Sequence, residues 1–111
     1  MLDGALTHTG SVGIDTTVDA ATEAARVCAL NQLAIVKFAL GTLDRVRQIV
    51  ILNGFVNGDD GFSESAKVIN GASDLYHEVF GEGGQHTRTA VSVNGLPLNA
   101  TVEIQTTLAF E

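Results

Sequence analysis

Two hydrophobic periods alternate along this chain, and neither an all-helical nor an all-strand fold satisfies both. The stretch from about Val18 to Leu40 is alanine-rich and free of Gly and Pro, which predicts a helix. Asp19, Glu23, Arg26 and Lys37 fall on one narrow stripe at 3.6-residue spacing, interrupted by Leu30 and Leu33. Most of the circumference is apolar, so the helix should be buried against a sheet. Thr16, three residues before Asp19, resembles a capping box; Thr17 is a competing cap. Gly41 is placed to stop the helix. The segment Arg45–Val56 then carries the run Ile49-Val50-Ile51-Leu52, which predicts a strand covered on both faces. A second helical period runs from an N-cap at Ser63 to about Phe80, with Val68, Ala72, Leu75 and Val79 on one face. Gly81 and the pair Gly83-Gly84 terminate it. Two strands, about Thr87–Val93 and Thr101–Phe110, close the chain.

A weak strand around Ala5–Thr9 completes the order β-α-β-α-β-β. Helices alternating with strands, then two strands together, predict an α+β fold: a mixed sheet with two helices packed on one face. With 111 residues, one domain over 1–111 is expected. So short a chain buries limited surface, and another copy of itself is the expected cover for the second face of its sheet.

Charge excludes several partners. The formal net charge is −7 and the six Lys and Arg are scattered, which disfavours nucleic acid and anionic membrane surfaces. Asn31, Gln32 and Lys37 interrupt the longest apolar run, so no membrane span is expected. The opening MLDGALTHTG has no basic flank and no apolar signal core, and the single Cys28 has no partner for an internal disulfide. These features predict a cytoplasmic setting.

The residues that carry chemistry lie in the last quarter, His86–Phe110. Strand alternation places His86, Arg88, Ala90 and Ser92 on one face of the first strand. In the second, Val102, Ile104, Thr106, Leu108 and Phe110 form an apolar face, with Glu103 and Gln105 on the other. Arg88 offers a planar fork of donors for a carboxylate, and Glu103 could hold and deprotonate a water. The same two residues also fit a structural salt bridge or two solvated side chains. The three histidines, His8, His77 and His86, share no metal-ligand spacing, and Asn57–Gly61 lacks the acidic pattern of a calcium loop. Cys28 inside the first helix reads as a buried, inert thiol. Thr7, Thr9, Ser11, Ser63 and Ser73 have no sequence-adjacent base and no nucleophile-elbow glycines, which argues against a hydrolytic serine. The segment GSVG at Gly10–Gly13 is too short for a phosphate loop.

The segment R-x-A-V-x-V-x-x-L-P-x-x-A-x-V-E-I, from Arg88 to Ile104, resembles the C-terminal signature of the Rid/YjgF family, also called the endoribonuclease L-PSP family. Upstream, AARVCALNQLAIVKFALGTLDRV and KVINGASDLYHEVFGEGGQHTR resemble its YjgF-like branch, so the likeness covers roughly Gly10–Phe110. The resemblance implies a chorismate-mutase-like fold and a homotrimer with clefts between subunits. It also implies hydrolysis of reactive enamine or imine acids, such as 2-aminoacrylate, to 2-keto acids and ammonia. In that motif Arg88 stands at the carboxylate-binding arginine, Ala90 where a backbone group helps bind the carboxylate, and Glu103 at the glutamate that positions the attacking water. No metal or organic cofactor is implied, because an imine is already electrophilic. Family members usually open with about two further strands, an S-G-Q-like turn and a cleft aromatic; here only Met1–Gly13 precedes the approach to the first helix. That difference leaves open a non-catalytic trimer that binds small carboxylates or a protein partner. The family's older name suggests ribonuclease activity, against which the charge balance speaks.

Overall fold

The computed structural model describes residues 7–111. Its long helix α1 spans Val18–Leu40, as the composition predicts. Thr17 wins the N-cap: its side chain accepts from the Ala20 amide at 3.1 Å. Gly41 closes the helix at φ 84°, a left-handed conformation that only glycine adopts without strain, and its amide bonds the Lys37 carbonyl.

Three strands follow: β1 (Val46–Asn57), β2 (Thr87–Val93) and β3 (Val102–Phe110). Their order is β2-β1-β3, with β2 parallel and β3 antiparallel to β1. Helix α2 (Ser65–Phe80) makes the crossover between the two parallel strands and packs beside α1 on the sheet. The architecture is therefore a mixed sheet with its helices on one face, the predicted α+β class. Among the described residues, no helix is long and apolar enough to cross a membrane.

The core lies between helices and sheet. Ile49, Leu52 and Val56 from β1, Val68, Ile69 and Tyr76 from α2, and Ala21, Ala25 and Ala29 from α1 are all inaccessible to solvent. Alanine on α1 has a packing reason. A small side chain lets α2 approach so closely that a Cβ on Gly71 would overlap the Thr22 carbonyl oxygen. The Tyr76 hydroxyl, the one polar atom at the end of that large side chain, bonds Thr106 Oγ1 at 2.7 Å.

Four expectations need correction. The run Ile49–Leu52 is not covered on both faces of this chain's sheet: Ile49 and Leu52 are fully buried, whereas Val50 and Ile51 are 40% and 39% exposed. Register irregularities between Val46 and Gln48 and between Ile49 and Ile51 let Val46, Ile49 and Leu52 all turn towards the helices despite their three-residue spacing. Helix α1 is buried along one stripe only; Ile35 and Phe38 are exposed. Val79 on α2 is likewise exposed. Helix α2 begins two residues after the expected cap, at Ser65, with Glu64 as N-cap and no side-chain cap bond. The chain before it is committed elsewhere, since Phe62 packs on the core and its amide bonds the Asp59 carbonyl. Of the weak N-terminal strand, residues 5 and 6 lie outside the described residues, and Thr9 forms an isolated bridge with Ala100.

Candidate functional site

Pairing with β1 decides where the two charged candidates face. Arg88 on β2 sits opposite Leu52, and Glu103 on β3 sits opposite Phe55. Leu52 points into the core, so Arg88 projects to the helix side. Glu103 is exposed on the other face of the sheet, beside Gln105. Strand β1 separates them, two strand spacings or roughly 10 Å across the sheet. Within one chain Arg88 and Glu103 do not meet. Ala90, paired with Gly54, is half-buried against the core.

Arg88 instead borders a polar cleft of about 440 Å³ between α2 and the start of β2, lined also by Asn70, Ser73, Asp74, His77 and His86. Its guanidinium is held by neutral acceptors: Nη1 donates to Ser73 Oγ at 3.1 Å and Nη2 to the Ala66 carbonyl at 3.2 Å. Among the described residues the ion pairs are Arg26–Glu78 and Arg47–Glu111; none involves Arg88. Its charge is thus oriented but not neutralised, a state suited to receiving an anion.

The sequence shows Ser73 only as a hydroxyl without an adjacent base and His86 only as a neighbour of Arg88 on one strand face; their pairing, thirteen positions apart, is not visible there. The fold brings Ser73 Oγ to 2.9 Å from His86 Nε2, and His86 Nδ1 to 2.6 Å from the Gly84 carbonyl. The signal was present in the spacing: a helix ending at glycines, then a strand returning beside it, sets His86 next to the last turns of α2. The ring is further fixed by its neighbours, stacking on His77 at 5.8 Å and meeting Tyr76 edge-on at 6.1 Å.

The opposite flank differs. Between α1 and β3 runs an apolar groove of about 610 Å³, lined by Cys28, Ile35, Leu98 and Ile104, with Glu103 at its rim. Burial pushes the Cys28 thiol above its ordinary pKa, with a smaller upward push from Glu103, in keeping with an inert thiol. The end of β1 and the loop after it are tied down by protein groups: Asn57 Nδ2 donates to the Ala100 carbonyl at 3.1 Å, and Asp59 accepts from Ser11 Oγ at 2.8 Å. Among the described residues, no group of three or more His, Cys, Asp or Glu is placed to hold a metal ion.

Comparison with known proteins agrees with this architecture. Residues 1–108 match the family described as YjgF/chorismate_mutase-like, putative endoribonuclease. Protein TCP17 of Trypanosoma cruzi is 50% identical over 97 residues, 86% of this chain and 61% of that protein, so the chain spans less than two thirds of TCP17. The crystal structure of Atu1372 from Agrobacterium tumefaciens, a protein of unknown function, superposes with a TM-score of 0.96 at 47% identity, covering 99% of this chain and 71% of that one. That of a putative endoribonuclease from Shewanella oneidensis MR-1 gives 0.91 at 38% identity, covering 96% and 70%. A match of this extent, joined to two helices on a three-stranded mixed sheet, places the chain in the YjgF/chorismate_mutase-like family.

Proposed function

We propose that this chain hydrolyses small 2-imino acids of the 2-aminoacrylate type to 2-keto acids and ammonia, at a site shared between copies of the chain. The observation that carries this reading is Arg88: a guanidinium fixed at the wall of a polar cleft by two neutral acceptors, with no carboxylate paired to it among the described residues. The substrate carboxylate docks there, assisted by backbone near Ala90. Glu103 of a second copy, in a homotrimer, holds the attacking water. The chain's own Glu103 faces the other side of the sheet, so a working pair needs two chains.

The chemistry follows from positioning. With its anionic end held, the substrate presents its C=N carbon to the water. Glu103 takes the water's proton as the C–O bond forms and passes it to the imine nitrogen; on collapse of the carbinolamine it takes the hydroxyl proton and passes that to the departing amine. Ammonia leaves and the keto acid remains. No metal or organic cofactor enters this scheme. RNA is a poor fit as substrate, whatever the family description: of six basic residues, Arg26 and Arg47 are already paired with carboxylates, and the net charge is −7.

Ammonia release from an enzymatically generated imino acid tests the activity, with Arg88→Ala expected to lower it by about a hundredfold or more. Equal rates for variant and wild type would remove the proposal. Mixing Arg88→Ala with Glu103→Gln chains tests the sharing. Random assembly should restore about a quarter of the sites if each is built across a cyclic interface, and none if each is built within one chain. A binding-only module remains the second reading, favoured by the separation of Arg88 and Glu103 within one chain; calorimetric binding of 2-ketobutyrate without turnover of the imine would establish it.

A further inference from the structure

We propose that Ser73 is an activated nucleophile, with His86 as its base, and that the cleft between α2 and β2 hydrolyses small esters through an acyl-serine. This activity lies beyond the imine chemistry: it involves neither Glu103 nor a second copy, and one chain holds every group it uses.

With His86 neutral, the proton inventory at this cluster has one solution. A carbonyl oxygen only accepts, so the 2.6 Å contact between His86 Nδ1 and the Gly84 carbonyl puts a proton on Nδ1. In the neutral ring Nε2 then carries a lone pair, and the Ser73 hydroxyl, 2.9 Å away, donates to it. The remaining lone pairs of Oγ face Arg88 Nη1 at 3.1 Å. Nucleophile, base and a carbonyl that orients the base therefore stand in series, with a cation beside the nucleophile.

Ser73 adopts this arrangement against a local alternative. A hydroxyl inside a helix commonly bonds back to the carbonyl four residues earlier, as Thr22 does to Val18 at 2.8 Å in α1. Ser73 turns its oxygen to the cleft instead. Although only 7% of the residue is exposed, it lines the same 440 Å³ cavity as Asn70, one helical turn earlier, and Arg88. Both can donate hydrogen bonds to an oxygen held near Oγ.

The reaction balances without another cofactor. Ser73 Oγ adds to the ester carbonyl carbon while its proton passes to His86 Nε2, and the carbonyl π electrons move to the oxygen, which faces Arg88 and Asn70. Collapse breaks the bond to the alkoxy group, which leaves with the proton from Nε2. Water then adds to the acyl-serine with His86 again taking the proton. Release of the carboxylic acid returns that proton to Ser73. The cleft's polar lining suits a short acyl group, and acetyl esters are the simplest probe.

The test uses the intact chain, p-nitrophenyl acetate and a fluorophosphonate. Labelling mapped by mass spectrometry should fall on Ser73 and vanish in Ser73→Ala. His86→Gln, whose amide retains a hydrogen-bonding group near Oγ but supplies no base, should slow hydrolysis by about a hundredfold or more while leaving the circular dichroism and melting temperature near those of wild type. A folded wild type that takes no label, a label on any residue other than Ser73, or a folded His86→Gln with the wild-type rate would overturn the proposal. Because neither probe contains an imine, these outcomes are independent of the ammonia assay.

Discussion

The two flanks of the sheet are built to opposite standards. On the β2 side, Ser73, His86, Arg88 and the Gly84 carbonyl satisfy one another within a single chain, in a cleft lined by polar residues. On the β3 side, the groove by α1 is apolar, and its wall includes Ile35 at 65% and Leu98 at 80% exposure. Leu98 also holds a left-handed backbone, φ 59°, that non-glycine residues rarely adopt. Polar satisfaction requires only correctly aimed partners, which β2 and α2 supply. Apolar burial requires area, and a three-stranded sheet with two helices has little to offer on that flank. The polar contacts are therefore complete on the β2 flank, whereas apolar burial is incomplete on the β3 flank.

The largest blow to both flanks together is at the helix–helix contact that carries them. Gly71→Val should cost about 3 kcal/mol or more, because its Cβ would overlap the Thr22 carbonyl, a backbone atom that cannot swing aside. Chemical denaturation would show it; a wild-type midpoint would mean that α1 and α2 do not pack this closely. Next, Tyr76→Phe should cost about 1–2 kcal/mol by stranding Thr106, with the esterase and imine rates nearly unchanged. A collapse of those rates would show that the core under β3 and the cleft under β2 are not separable.

Alkaline pH should weaken the fold through the same buried layer. Burial raises both the Cys28 thiol and the Tyr76 phenol, the latter against the opposing hydrogen bond from Thr106. Both groups are neutral when folded, so their contribution is intact below the ordinary thiol value of 9.0 and is lost as pH rises through the folded values. Urea midpoints at neutral pH and at about pH 10.5 should differ in that direction, and Cys28→Ser combined with Tyr76→Phe should reduce the difference. The smallest effect belongs to the β3 flank. Ile35→Asp should change the stability of the isolated chain by within about 0.5 kcal/mol, since its side chain is already in water. A larger loss that depends on protein concentration would mean that another copy covers the groove.

The legible parts of the fold were those with local causes. The extent of α1 follows from a run of alanines bounded by Thr17 and Gly41, and the bounds of β2 follow from the glycines before it and Asn94-Gly95 after it. The start of α2 was less legible, because Phe62 is drawn to a core that Ser63 says nothing about. The irregular strand β1 hid its facing for the same reason: a β-branched run looks alike whether it is buried on both faces or kinked to bury one. In the candidate site, Arg88, Ala90 and Glu103 were accessible through a motif. The Ser73–His86 pair was not, because adjacency in sequence is the wrong test for groups joined by tertiary packing.

What the sequence by itself determined is the kind and order of the elements from α1 onward, the acidic balance that disfavours RNA, and the presence of one guanidinium and one carboxylate on the closing strands. These depend on backbone preference, hydrophobic period and charge, all of which are written locally. Only the tertiary structure decided that Arg88 and Glu103 face opposite sides of the sheet, and that a histidine completes a hydroxyl–guanidinium pair beside α2. Facing depends on strand order and register, which are set by how distant segments bury their side chains against one another, and no local stretch of residues encodes that choice.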